Sequence, residues 1–257
     1  DELFTSEFIR FDKNDRSKKL KNEYITYKPS SHLTLHDKVG VYPAHQESIA
    51  KVGKDIIESI LQSIFQYNSR IGNRLGTGYE LFYRGSGDQW LNSTLEKPYE
   101  GSEINTLKFD NAFERNFFFI LIHSSLFYLY WMTYGDQFHL TKTQLLNFPV
   151  PKKDELKNYN QIIKNISIIF WNRLKSPKIF NSQKEQFTMQ PLKPLVDDID
   201  NLLGEIYELS EEEIDFLQQY HSEYSRCGAS NYFPKKTTFL TKAIVSDTLL
   251  TSDKYDS

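Results

Sequence analysis

The chain has 257 residues, enough for one large domain or two small ones, and its 39% hydrophobic and 15% aromatic content can fill a core. A single cysteine, Cys227, excludes an internal disulfide framework and a multi-cysteine zinc site, so a reducing cytoplasm is the expected compartment. The net charge of −3 weighs mildly against a nucleic-acid partner, but it is unevenly spread: 10 Lys+Arg against 6 Asp+Glu over residues 101–180 (+4), and 7 against 14 over residues 181–257 (−7). Any nucleic-acid-facing surface is therefore expected in the middle of the chain, with the acidic end turned away.

The opening, DELFTSEFIRFDKND, has neither a basic n-region nor an apolar h-region, so it reads as an interior cut through a longer protein rather than a signal peptide. Residues 1–46 are polar and irregular, with candidate strands at Phe8 to Phe11 and Glu23 to Tyr27. From Glu47 to about Tyr67 the apolar positions Ile49, Val52, Ile56, Ile57, Ile60, Ile64 and Phe65 recur at three and four, which predicts an amphipathic helix. A glycine-rich loop follows, with Gly72, Gly76 and Gly78. Tyr79 to Arg84 and Ile104 to Phe109 read as strands, with a tight turn at Gly85-Ser86-Gly87-Asp88.

At Asp110-Asn111 the second strand gives way to a long aromatic helix, predicted over 111–132 and ended by Gly135. Its apolar run, Phe117 to Met132, covers 16 positions and falls short of the roughly 20 residues that cross a bilayer, so it reads as a buried helix. A polar elbow, Asp136-Gln137-Phe138-His139-Leu140, leads to a further helix stopped by Pro149. Helices are also predicted over 153–174, 195–207 and 211–224, with a polar tail at 227–257. Asn111-x-x-Glu114, Thr141-x-x-Gln144 and Ser210-x-x-Glu213 are capping-box signatures, each cap worth about 1 kcal/mol.

Three pieces of this order together resemble a known family: the opening with the helix over 47–67; FYRGSGDQW with the aromatic helix, its Ser124 and Ser125, and LTKTQLLNFPVP; and the closing PLVDDIDNLLGEIYELSEEEIDFLQQYHSEY. The family is the C-terminal specificity, or target-recognition, region of adenine-N6 DNA methyltransferases of type IIG and type IIS restriction-modification systems. The resemblance covers roughly Asp1 to Tyr224. It implies a chain that reads double-stranded DNA for an N-terminal methyltransferase domain of the same polypeptide, where S-adenosylmethionine is bound.

The chain itself lacks methyl-transfer machinery. It has no Pro-Pro pair for the Asn-Pro-Pro-aromatic loop that holds a flipped adenine, and Gly85-Ser86-Gly87 falls short of a cofactor-binding glycine turn. No catalytic residue, cofactor or metal is therefore expected here. Asp136 with Glu155-Leu156-Lys157 formally fits a Mg²⁺ nuclease pattern, but Glu155 opens a predicted helix, whereas that chemistry needs converging strands. His32 and His36 have zinc-like spacing, with only His45 nearby, and read as solvated or structural.

The candidate DNA contacts are Arg70, Arg74, Arg84, Trp90, Gln137, His139 and Lys142. The arginines border glycine turns, where a guanidinium fork suits both phosphate and guanine. Lys142 sits at the start of a capped helix, where a phosphate would be favoured. His123, Ser124 and Ser125 satisfy their polarity inside the fold or, alternatively, line the DNA groove. The expected architecture is α+β: a small mixed sheet from 23–27, 79–84 and 104–109, packed by long helices, then a helical C-terminal part. The divisions are a linker with short strands (1–46), a recognition core (47–152), a helical subdomain (153–226) and a tail, with no membrane contact. The alternative function is a protein-interaction module, in which helices 153–174 and 195–224 dock the catalytic half or a partner without base contacts.

Overall fold

The period-two burial of two strands sets the centre of the fold. In this computed structural model, which describes residues 2–6, 26–40, 47–85, 93–98, 104–136, 138–177, 179–181 and 186–224, Tyr79–Arg84 (β4) pairs antiparallel with Ile104–Phe109 (β6). Leu81 lies opposite Leu107 and Tyr79 opposite Phe109, so Leu81, Tyr83, Leu107 and Phe109 fall on one buried face. Ser93–Thr94 (β5) closes the other edge, giving the order β5-β4-β6. Three two-stranded ribbons accompany this sheet: Phe4–Thr5 (β1) with Lys28–Pro29 (β2), Ser69–Arg70 (β3) with Pro149–Val150 (β7), and Phe180–Asn181 (β8) with Gln186–Phe187 (β9). All these pairings are antiparallel. The sheet therefore gains β5 in place of the segment expected near 23–27, whose described end leads into the separate β1–β2 ribbon. The candidate strand at 8–11, the turn at 86–88, His45, Trp90, Gln137 and the tail at 227–257 lie outside the described residues.

The architecture is α+β with a helical C-terminal part, and three helix boundaries differ from the sequence expectation. The first helix, α1, spans Asp55–Phe65 rather than starting at Glu47. Residues before it are extended: Leu35 bridges Ser48, and Lys51 N–H donates to the Thr133 carbonyl. Ala50 and Val52 are buried there while Ile49 is 40% exposed, an alternation of two that mimics helical spacing when read in a longer window. The helix predicted over 153–174 begins at Asn160 (α5, Asn160–Leu174), because the Glu155 carboxylate accepts from Lys152 N–H and curls 152–155 into a turn.

The aromatic helix is the third. It splits into α2 (Ala112–His123) and α3 (Ser125–Tyr134), bent by 65° at Ser124. Ser124 is extended, and its hydroxyl donates to the Leu121 carbonyl (2.7 Å) while accepting from Phe127 N–H (3.0 Å). One serine thus ends the first helix and caps the second, the competition with the backbone that disfavours serine inside helices. Among the described residues no single helix is long and apolar enough to cross a membrane.

Both halves of the broken helix are buried on almost every side. Phe118 stacks on Phe109 of the sheet (4.8 Å), Phe119 meets Phe170 and Trp171 of α5, and Phe127 and Tyr130 pack on Phe148. Helices α6 (Lys193–Ile206) and α7 (Glu211–Tyr224) cover α3, and a short α4 (Lys142–Leu146) precedes β7. One core runs from Leu33 to Tyr220, so the sequence divisions at 46 and 152 both fall within shared packing.

The joint between α2 and α3 holds a buried carboxylate. Asp200 of α6 is 0% exposed; its Oδ1 accepts from Ser125 N–H at the start of α3 (2.7 Å), and its Oδ2 has no hydrogen-bond partner among the described residues. Burial pushes its pKa up to about 7, against the opposing pull of Lys193 and the Ser125 hydroxyl. The native state therefore holds a proton that the unfolded chain has released above its ordinary carboxyl pKa. This stabilisation is fully present below the unfolded value and is lost as pH rises through about 7. Asp200→Asn is expected to be more stable than the parent above neutrality by about 1 to 3 kcal/mol, with the gain vanishing in mild acid. Urea unfolding at both ends of that range checks this, and a pH-independent difference would remove Asp200 as its source.

Candidate nucleic-acid interface

Two of the arginines expected to face DNA are inside the protein. Arg70 is 2% exposed, and its guanidinium donates to the carbonyls of Tyr67 (2.5 Å) and Ser69 (2.9 Å). Arg74 is 6% exposed and makes a bidentate pair with Glu114, Nε to Oε2 at 2.8 Å and Nη2 to Oε1 at 2.5 Å; its Nη1 donates to the Pro151 carbonyl (2.6 Å). With all its nitrogens committed and Phe118 beneath it, Arg74 fastens the loop after β3 to α2. The sequence assigned Glu114 to a capping box. Asn111 performs its half by accepting from Glu114 N–H (2.9 Å), but the Glu114 carboxylate goes to Arg74 instead.

The loop glycines answer to packing as well. A Cβ on Gly72 would lie 2.4 Å from the Val39 side chain, and one on Gly76 would lie 2.6 Å from the Asp110 backbone nitrogen. Close approach to protein, not to a ligand, explains them.

The elbow between α3 and α4 is a different case. The Asp136 carboxylate accepts from Phe138 N–H (2.9 Å) and His139 N–H (2.7 Å) through Oδ1, and its Oδ2 lies 2.7 Å from His139 Nδ1. Burial works against its charge, but these bonds outweigh it and hold the carboxyl below the usual range. Trp131 Nε1–H donates to the His139 carbonyl (3.0 Å), and the Leu140 side chain is buried. Leu140 N–H then donates to the Gly85 carbonyl (2.9 Å), joining the elbow to the end of β4.

On the far side, Thr141 and Gln144 cap α4 reciprocally as the sequence predicts, and Gln144 Nε2 donates to the Tyr134 carbonyl. His139 and Lys142 are exposed on this edge, while Arg84 is half-buried at the last position of β4. The structure thus brings Arg84, His139 and Lys142 to one edge and removes Arg70 and Arg74 from it; Trp90 and Gln137 lie outside the described residues.

Sequence reasoning missed Lys51 and the exposed Phe138. Lys51 Nζ donates to the Gly135 carbonyl (2.6 Å); burial lowers its pKa, and the nearby Asp136 charge opposes that shift. A lysine on an apparent helix 84 positions before Gly135 carries no sign of that partnership.

The remaining candidates are dispersed. His32 bonds Glu58 and His36 bonds Glu47, each as a separate exposed pair. Glu155 is engaged with Lys152 N–H and Lys157 with Asp154, and no group of three or more His, Cys, Asp or Glu gathers among the described residues. His123, Ser124 and Ser125 are fully buried, which overturns the alternative that they line a groove. His123 Nε2 contacts the Ser93 carbonyl (2.9 Å), and burial lowers its pKa to about 4, leaving it neutral. No protein-family model, curated protein or solved structure matches this chain.

Arg74→Ala is expected to destabilise the fold by about 3 to 5 kcal/mol, because it strands the Glu114 carboxylate in the interior. Replacing both by apolar residues, Arg74→Met with Glu114→Leu, should recover much of that loss. Urea denaturation of the two variants decides the matter: an Arg74→Ala protein as stable as the parent would return Arg74 to the surface.

Proposed function

We propose that this chain is the DNA sequence-recognition domain of an adenine-N6 methyltransferase or restriction-modification enzyme. On this reading it orients duplex DNA for a methyltransferase domain elsewhere in the same cytoplasmic polypeptide. The observation that carries the proposal is the Leu140 to Gly85 hydrogen bond, which joins the end of β4 to the elbow before α4. Arg84 at the end of β4 and the elbow with His139 and Lys142, far apart in sequence, thereby meet at one edge mounted on a sheet and a buried helix. Recognition loops on a rigid scaffold are the usual arrangement for reading a macromolecular surface. The order of segments, with its resemblance to methyltransferase specificity regions, supplies the partner class.

The docking alternative draws less support. Helices α5 to α7 turn their apolar faces into the shared core, and Ile168 is the one large hydrophobic exposed on them among the described residues. S-adenosylmethionine belongs, on this proposal, to the catalytic domain, and no step of methyl transfer is assigned to residues of this chain.

A salt titration of duplex binding tests the proposal, since phosphate contacts impose a steep loss of affinity with salt. Lys142→Gln is expected to weaken binding similarly across sequences and to reduce the salt slope by about one, whereas Glu212→Ala changes neither. Absence of duplex binding at low salt would overturn the assignment, and an unchanged slope in Lys142→Gln would move the interface away from this edge.

A further inference from the structure

We propose that Phe138 is a wedge that enters the base stack of bound duplex DNA at an easily opened step. The inference rests on the DNA-recognition reading of the same edge and adds a mode of engagement to it.

Phe138 is 63% exposed, and single exposed apolar residues are ordinary on protein surfaces. What distinguishes this one is how it is held. Its own N–H and that of the next residue both donate to Asp136 Oδ1, and the next carbonyl is fixed by the Trp131 indole. One residue further on, Leu140 is buried and tied to Gly85. A phenylalanine on a free loop can fold back onto its own protein. Here the backbone on its C-terminal side is pinned at successive positions, and the ring stands in solvent.

The surroundings suit an anionic partner. The Asp136 carboxylate is engaged by three donors of the elbow itself, while Lys142 is exposed two residues beyond Leu140. An exposed apolar ring on a pinned backbone, a few residues before an exposed cation, matches the way side-chain wedges work. The cation engages phosphate, and the ring replaces a neighbour in the base stack where unstacking is cheap, as at a pyrimidine–purine step or a mismatch.

The test uses the full chain and fluorescein-labelled duplexes of one sequence, fully paired or with one central mismatch, the latter having its unstacking already accomplished. The parent is expected to bind the mismatched duplex about ten-fold tighter than the paired one, with a rise in 2-aminopurine fluorescence beside the mismatch. Phe138→Ala should abolish the preference and the fluorescence rise while keeping the salt slope; Phe138→Trp should retain both. Lys142→Gln should do the reverse, weakening both duplexes equally with the preference intact. Coincident thermal melts of Phe138→Ala and the parent establish that the variant is folded. Duplex binding without a mismatch preference, or a preference that survives Phe138→Ala, overturns the wedge and leaves the recognition reading standing. So does an equal loss on both duplexes. No duplex binding by the parent overturns both.

Discussion

The break at Ser124 is the constraint on which the rest of the molecule depends. An unbroken helix from Ala112 to Tyr134 would run about 35 Å at 1.5 Å per residue. The 65° bend turns one aromatic run into two shorter helices with different neighbours. The first, α2, packs on the sheet and α5, with Phe118 on Phe109 and Phe119 against Phe170. The second, α3, packs on α6 and α7 and delivers Gly135 and the elbow to the end of β4. Serine suits the joint because its hydroxyl serves the helix ending and the helix beginning at once, leaving little of the interrupted backbone unpartnered.

What could be read from the sequence follows from how local the governing physics is. The strands β4 and β6 were legible to the residue because alternation of buried and exposed side chains is decided by nearest neighbours. The Thr141–Gln144 and Ser210–Glu213 boxes were legible because a cap closes over three residues. The start of α1 was not. Ala50 and Val52 are buried against other parts of the chain in extended conformation, and an extended pair preceding a helix adds apolar positions that extend its apparent period.

The fate of Arg70 and Arg74 was still less accessible. A guanidinium is buried only when acceptors meet it, and Arg74 finds them on Glu114 and Pro151, 40 and 77 positions away. A glycine-rich segment with two arginines has the same composition whether it faces a phosphate or a neighbouring helix. The space around Gly72 and Gly76, filled by Val39 and Asp110, separates these cases, and that space is a property of the fold.

Several buried polar groups tie together segments far apart in sequence. Arg74 with Glu114 holds the loop after β3, and Asp200 receives the first amide of α3. Asn147, fully buried at the end of α4, donates to Asp37 (2.8 Å) and accepts from Lys38 N–H (2.7 Å). Such pairs add little net stability over an apolar replacement, but a half-satisfied arrangement is strongly disfavoured, so they select one register of the loops over its neighbours. The consequence falls on α4. A five-residue helix is too short to hold its own shape in water, yet this one is gripped at its N-terminus by the Thr141–Gln144 box and at its C-terminus by Asn147. The elbow preceding it is therefore mounted between two fixed ends. On the proposed DNA-recognition reading, a surface held in this way loses little conformational freedom when a partner is bound, which favours an edge with few charged groups.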